Sequence, residues 1–304
     1  MEMREKVMSD YPKISVITPS YNQAAFIEQT LCSVLDQNYP NLEYIVIDGG
    51  SNDGSVEIIK KYEKHLAYWV SAKDGGQYQA INSGLSRATG EIMAWLNSDD
   101  KYFPWTLKTV GGIMAELPEV EWMTTLRPAY WDWHGHCTRV SFNAGMSKEA
   151  FLDGRYGPAQ ASTSLYVLDS GEWIQQESTF WRRSLWRKSS GLRPEEFPLA
   201  GDFDLWSRFY RYADLYGVLP PLAGFRNQED QRSRLLDRYF AEAARSLAEL
   251  RDAEGWRPKL SRKLARTRLR RFVRSLNAYT GKVIYRDREG SRDGSWKVKE
   301  EKFV

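Results

Sequence analysis

Apolar and polar positions alternate in blocks over the first 125 residues. KISVITP, residues 13–19, is a β-branched run closed by Pro19 and predicts a buried strand. Behind it Phe26, Leu31, Val34 and Leu35 fall at roughly helical spacing. LEYIVIDGG, 42–50, predicts a second buried strand ended by Gly49-Gly50, and SNDGSVEIIKKYEKH a helix capped by Ser51 or Asp53. Residues 65–72 predict a third, weaker strand, 75–88 a loop and short helix, and GEIMAWLN, 90–97, a fourth strand. A helix follows over 104–117, with Pro104 at its start, and a fifth strand over 119–125.

Strands alternating with helices imply an α/β chain with an open, mostly parallel sheet and helices on both faces. Such sheets bind ligands beyond the carboxyl ends of their strands. The polar clusters sit there: Thr18-Pro19-Ser20-Tyr21-Asn22 after strand one, Asp48-Gly49-Gly50 after strand two, Lys73-Asp74 after strand three, Asn97-Ser98-Asp99-Asp100 after strand four. Singly, Asp48 and Asp53 are ordinary turn and cap residues and Asp74-Gly75 an ordinary turn pair. Together, on one sheet edge, they point to a site.

The texture changes near residue 127. Residues 127–170 are rich in aromatics, Gly and Ser without a period, and 174–191 predicts a strand or loop running into a helix. AGDFDLWSRFYRYA, 200–213, predicts a helix with an aromatic face and a carboxylate pair at its start; 216–233 predicts a strand and loop, and 234–255 a helix. Residues 256–276 hold nine Lys or Arg and no acid, with Leu260, Leu264, Leu269, Val273 and Leu276 along one side. That is a basic amphipathic helix, suited either to peripheral contact with an anionic membrane face or to packing one stripe on the body.

Composition narrows the picture. A net charge of +3 over 304 residues gives no case for nucleic acid. Two cysteines, Cys32 and Cys137, exclude a disulfide framework and a CxxC metal site, and His134-Gly135-His136 reads as ordinary loop histidines. No 18-residue apolar run predicts a transmembrane helix, and MEMREKVMSDYP lacks a signal-peptide core, so the expected compartment is the cytoplasm. The 12 Trp and 17 Tyr suit either a core or sugar-binding platforms.

Adjacent carboxylates at Asp99-Asp100 favour a hard divalent cation, Mn²⁺ or Mg²⁺, sharing its shell with phosphate oxygens. No GxxxxGK[ST] loop is present, which argues against ATP hydrolysis, and no GxGxxG follows strand one, which argues against a dinucleotide cofactor. What remains is a nucleotide-diphosphate compound, its phosphates clamped by metal and its nucleoside held by strand ends.

Ile17-Thr18-Pro19-Ser20-Tyr21-Asn22, Val46-Ile47-Asp48-Gly49-Gly50-Ser51-Asn52-Asp53, Asp74-Gly75-Gly76-Gln77 with Ala80-Ile81-Asn82-Ser83-Gly84, and Leu96-Asn97-Ser98-Asp99-Asp100 form four ordered blocks. Together they resemble the family 2 glycosyltransferases of the GT-A fold. The resemblance implies a nucleotide-sugar donor half over 1–125, an acceptor-binding and catalytic-base half of the same domain over 126–233, and C-terminal helices with the basic tail over 234–304. It implies that Pro19 and Tyr21 line the base pocket, that Asp48 accepts a hydrogen bond from the nucleobase, and that Asp74 and Asn82 hold nucleoside and sugar. Asp99 would bind ribose or metal, with Asp100 assisting. Gly201-Asp202-Phe203-Asp204 resembles the family's Glu-Asp motif, which makes Asp202 the general base, with Asp204 and Glu177 as rivals. Phe225-Arg226-Asn227-Gln228 resembles a late block that often carries His near 228, so Gln228 is a weak metal or phosphate contact. Asn97 stands where the acidic motif commonly begins with Asp, and Gly201 where relatives carry Glu. Trp181-Arg182-Arg183 is not the QxxRW of processive synthases, which favours single additions.

Three functions compete. The first is an inverting transferase moving sugar from a nucleotide-diphosphate donor, UDP-linked by preference, to a glycan or lipid-linked acceptor in polysaccharide or cell-envelope biosynthesis. The second is a nucleotidyltransferase, disfavoured because no Gly-rich, Lys- or Arg-bearing triphosphate loop follows strand one. The third is an impaired nucleotide-sugar-binding or scaffold protein, supported by Asn97, Gly201 and Gln228.

Overall fold

The computed structural model describes residues 11–157, 173–228, 236–257, 278–288 and 294–304. Its first half alternates β1 (Ile14–Ser20), α1 (Ile27–Leu35), β2 (Leu42–Asp48), α2 (Ser55–Lys61), β3 (Tyr68–Ser71), α3 (Gln77–Arg87), β4 (Ile92–Trp95), β5 (Lys101–Tyr102), α4 (Thr106–Glu116) and β6 (Trp122–Thr125). Then come β7 (Ala129–Trp131), β8 (Cys137–Val140), α5 (Lys148–Leu152), a 3₁₀ turn at Gln176–Ser178, β9 (Phe180–Arg182), α6 (Arg183–Ser189), α7 (Gly201–Phe209), β10 (Leu215–Val218), β11 (Ala223–Arg226), α8 (Leu236–Ala253), β12 (Tyr279–Asp287) and β13 (Ser295–Phe303).

The large sheet runs β13-β12-β10-β6-β9-β4-β1-β2-β3 among the described strands. β3, β2, β1 and β4 are parallel, in register from Ile14 opposite Leu42 to Ser20 opposite Asp48. Both faces are covered, so these strands are apolar on both sides. Ile14, Val16, Val46 and Ala94 pack with α1 and α4, while Ile17, Ile45, Ile47 and Trp95 pack with α3 and α7. This is the period of two, read as two cores. Gly84 of α3 permits the close approach: a Cβ there would lie 2.6 Å from Ile17 Cγ2.

The five strands expected in the first half are all present, within about three residues at their ends. From the second segment β9 inserts antiparallel between β4 and β6, so the two halves share one sheet. A smaller sheet, β5-β11-β7-β8, was not expected; its strands are two to four residues long and leave little periodicity to read.

Five of the 12 tryptophans prove to be core. Trp95, Trp122, Trp181 and Trp206 are fully buried, with Trp206 stacked on Trp95 at 5.8 Å and on Trp122 at 5.7 Å. Trp133 is exposed.

The end of the chain departs from the expected helical tail. α8 matches the helix foreseen over 234–255, but Tyr279–Asp287 and Ser295–Phe303 form a hairpin that joins the large sheet through β10. The alternation in SWKVKEEKF was obscured by charge, which is how an edge strand protects itself from further pairing. The basic amphipathic stretch over 256–276 falls outside the described residues except for Trp256 and Arg257. Among the described residues no helix is long and apolar enough to cross a membrane.

Candidate functional site

A cavity of about 830 Å³ opens at the carboxyl ends of β1 to β4. All four strand-end clusters reach it: Pro19 to Tyr21, Gly49 and Gly50, Lys73 and Asp74, Asn97 to Asp99. The second half of the chain closes it with Leu199, Asp202, Phe225, Gln228 and Tyr239. Of the expected site residues, Pro19, Tyr21, Asp74, Asp99, Asp202 and Gln228 therefore meet at one wall-to-wall space.

Asp48, Asn82 and Asp100 do not line it. Asp48 is fully buried, and its carboxylate accepts from Gly50 N (3.1 Å), Ser51 N (2.9 Å), Ser51 Oγ (2.5 Å) and Ser71 Oγ (2.6 Å). Three of these donors share Oδ2, and Oδ1 takes the Ser51 hydroxyl. Asp48 thus shapes the Gly49–Ser51 turn rather than presenting an oxygen to a base. Asn82 accepts from Leu192 N and donates to Leu192 O, both at 3.0 Å, and so clasps α3 to the loop before α7. Neither expected helix cap stands at the N-cap of α2, which is Gly54; Asp53, one residue earlier, accepts from Ser55 N at 3.0 Å and from Ala24 N at 2.9 Å.

The acidic turn after β4 divides its labour. Asp99 faces the cavity, and Gln228 Nε2 donates to its carboxylate. Asp100 is buried and accepts from the backbone N of Arg226 at 2.8 Å. Burial raises its pKa well above the usual range, and the charges of Asp99 and Glu177 add to the effect. Asn97 joins a chain of amides: it accepts from Gln77 Nε2 (2.7 Å) and donates to Gln176 Oε1 (3.2 Å), while Gln176 donates to Trp95 O (2.8 Å). Arg226, unassigned by sequence, is fully buried; its guanidinium donates to Asp99 O at 2.5 Å and Trp133 O at 2.7 Å. It pins the acidic turn to the loop after β7.

The three candidate bases separate clearly. Asp202 is half-buried on the cavity wall in the first turn of α7, and burial raises its pKa to about 6. Asp204 is fully buried and held by Arg193, Arg208 and Ser246. Glu177 is buried off the cavity and pushed up to about 8, chiefly by burial, so it is largely neutral at pH 7. Two tyrosines that the sequence did not single out face Asp202. Tyr78 Oη and Tyr239 Oη each lie 3.4 Å from its Oδ1. Gly201 explains the first: a Cβ at 201 would sit 2.8 Å from the Tyr78 ring, so the absence of a side chain there makes room for that phenol.

His134 and His136 lie in an exposed turn where His136 contacts Asp132 at 3.3 Å. Among the described residues no three His, Cys, Asp or Glu side chains converge to hold a metal, and both cysteines are free.

The model of the family described as glycosyl transferase family 2 matches residues 15–151, which contain every strand-end cluster of this cavity. Residues 15–151 belong to glycosyltransferase family 2. An uncharacterized glycosyltransferase of Rickettsia typhi is 28% identical over 207 residues, 67% of this chain and 61% of that protein. A Bacillus subtilis protein named for teichuronic acid biosynthesis, TuaG, is 45% identical over 96 residues, 30% of this chain and 37% of its own. The chain thus spans less than two thirds of the length of these relatives. Among solved structures, S. aureus TarS in complex with UDP-GlcNAc superposes with a TM-score of 0.57 at 20% identity, covering 78% of this chain and 66% of TarS. The fold is accordingly GT-A, a mixed α/β sheet flanked by helices. Asp202, Gln228 and Tyr239 all lie beyond the matched segment.

Proposed function

We propose that the chain is an inverting glycosyltransferase that binds a nucleotide-diphosphate sugar in this cavity and passes the sugar to an acceptor hydroxyl. One observation carries the reading. The strand-end clusters of the family 2 segment and a half-buried carboxylate from the other half, Asp202, line the same cavity. Inverting transfer needs one base within reach of the acceptor hydroxyl and no enzyme nucleophile. Asp202 suits that role because burial holds its pKa near 6, high enough to accept a proton and low enough to be ionised at neutral pH. Tyr21, 63% exposed at the rim, offers a ring for stacking the base. Asp74 and the Gly49–Gly50 turn face the space where ribose and diphosphate would lie. UDP is the first nucleotide to try, because TarS, which shares the fold, was solved with UDP-GlcNAc.

The donor set fits a divalent cation carried mainly by the donor's own diphosphate. Mg²⁺ commonly takes one or two protein carboxylates together with phosphates, and Asp99 is the acidic-motif carboxylate that faces the cavity. Asp99 would hold the ion, beside Gln228; Asp100 acts from behind by fixing the Arg226 backbone. When bound, such an ion neutralises charge on the departing diphosphate. Asp202 takes the acceptor's proton, while Pro19, Tyr21 and Asp74 orient the donor. A glycan or lipid-linked acceptor belongs to the same proposal, as does membrane contact through residues 256–276.

The replacements at Asn97, Gly201 and Gln228 favour a second reading, a binding protein without transfer. Thermal unfolding with UDP, GDP, UDP-GlcNAc and GDP-mannose, with and without Mn²⁺, tests the site, since a ligand selective for the native state raises Tm by mass action. A shift that needs Mn²⁺ and is lost in Asp99→Ala supports the donor site; no shift with any nucleotide refutes it. Release of nucleotide diphosphate from the stabilising donor, abolished in Asp202→Asn, separates transferase from binding protein.

A further inference from the structure

The helix α8 lies outside the family 2 segment, yet one polar stripe of it faces the loop that presents Asp202. Tyr239, Glu242, Ser246 and Glu249 recur at intervals of three and four residues, which places them on one helical face. Each grips the region from Arg193 to Asp204. Glu242 Oε2 accepts from Leu199 N at 2.8 Å and from Ala200 N at 2.9 Å. Ser246 Oγ donates to Asp204 Oδ1 at 3.1 Å, and Glu249 accepts from Arg193 at 2.8 Å. Tyr239 Oη reaches Asp202 Oδ1 itself.

The two phenols on Asp202 are not equivalent. Tyr78 Oη lies 2.8 Å from Leu199 O and 3.4 Å from Asp202. A phenol has one proton, and the nearer carbonyl takes it. Tyr239 is then the phenol that donates to the carboxylate. Glu242, one turn along, fixes the two amides immediately before α7. A carboxylate at that place also suits the positive end of a helix. It supplies from α8 the negative charge that Gly201 does not supply from within the motif.

We propose that Tyr239 and Glu242 of α8 are positioning residues for Asp202, Tyr239 by donating to its Oδ1 and Glu242 by holding the Leu199 and Ala200 amides. The proposal rests on the reading of Asp202 as the base. The titratable groups around Asp202 are Tyr78 from α3, Tyr239 from α8, and Glu177 from the 3₁₀ turn, with Glu242 beside Tyr239. A donor to the ionised carboxylate lowers its pKa, so losing it raises the pKa.

The test needs no substrate. The full chain is labelled with ¹³Cγ-aspartate, and the Asp202 resonance is assigned by its disappearance in Asp202→Asn. Its titration midpoint is expected near 6 in the wild type. In Tyr239→Phe, which removes one oxygen atom, it should rise by about half a unit, a fraction of a full charge-assisted hydrogen bond because the contact is long. An unchanged midpoint overturns the Tyr239 half. In Glu242→Ala the Leu199 and Ala200 amides should exchange with solvent at least about tenfold faster, with Glu242→Gln restoring protection. Wild-type exchange in Glu242→Ala overturns the Glu242 half. Nucleotide-diphosphate release from UDP-GlcNAc with Mn²⁺ tests the base separately. An Asp202→Asn protein that releases UDP at the wild-type rate refutes the base, whatever Tyr239 does; a silent Asp202→Asn with an unmoved Tyr239→Phe midpoint refutes only the positioning.

Discussion

Asp202 and Asp204 stand two residues apart on α7, and their removal should damage different properties. Asp204 is fully buried and receives Arg193 Nε at 3.2 Å, Arg208 Nε at 3.1 Å, Arg208 Nη2 at 2.7 Å and Ser246 Oγ at 3.1 Å. Asp204→Ala leaves two guanidiniums facing each other without the anion between them. Breaking a buried ion network from one side costs ~3–5 kcal/mol, and because Arg193 retains some solvent the lower end applies, ~3 kcal/mol. For a chain of this size each kcal/mol moves Tm by about 2 °C, so Asp204→Ala should unfold about 6 °C lower. Asp202→Ala should not. Its pKa is raised to about 6 in the folded state, so above that pH the fold already disfavours its charge, and deleting the charge relieves rather than costs stability. Thermal unfolding at pH 7.5, followed by circular dichroism beside nucleotide release, separates the two. Asp204→Ala within about 2 °C of wild type, or an Asp202→Ala protein equally destabilised, would refute the division between structural and chemical carboxylate.

Nucleotide release should fall about tenfold per pH unit below about 6, as Asp202 takes up its proton, and stay level above it; a pH profile of kcat/KM checks this. Gly201→Ala drives a methyl against the Tyr78 ring and should cost ~1–3 kcal/mol with a drop in kcat, whereas Gly201→Ala in a Tyr78→Ala background should recover most of that stability. Tyr21→Ala should weaken UDP by ~1–3 kcal/mol in calorimetry, the worth of one stacked base, with Tm unchanged because the ring is exposed.

The first half of the fold was legible because buried parallel strands need β-branched runs and end in turn residues. β1, ISVITPS, is buried at every position, and nothing but a strand between two helical layers demands that. The site's near wall followed from the same logic, since ligands of such sheets gather at the strand ends. What stayed hidden depends on contacts distant in sequence. Asp48 and Asp99 both fall in strand-end clusters, and only the tertiary arrangement shows Asp48 buried and held by Ser51 and Ser71 while Asp99 turns to the cavity. Arg226 and Tyr239 meet the site from 127 and 37 residues away from Asp99 and Asp202, distances at which no local pattern speaks. The β12–β13 hairpin was missed because its charged alternation reads as easily as a solvated helix.

Asn97, Gly201 and Gln228, the three positions that the resemblance marks as departures, can be read against their surroundings. Asn97 sits beside Asp100 and joins Gln77 to Gln176 through neutral amides. A carboxylate at 97 would add a further negative charge to a turn where burial and the charge of Asp99 already hold the pKa of Asp100 up. Gln228 then offers its amide to Asp99, the carboxylate of the turn that faces the cavity. Gly201 gives up a side chain, and Tyr78 fills the space with a phenol near the oxygen that Tyr239 also reaches. Each loss of an acid or a ligand is met by a new neutral partner in contact with it. At Asn97 and Gln228 the neutral amides close hydrogen bonds with Gln77, Gln176 and Asp99, whereas Ser20 Oγ and Gln23 Oε1 on the cavity wall and the nearby Glu177 Oε1 make none within the described residues.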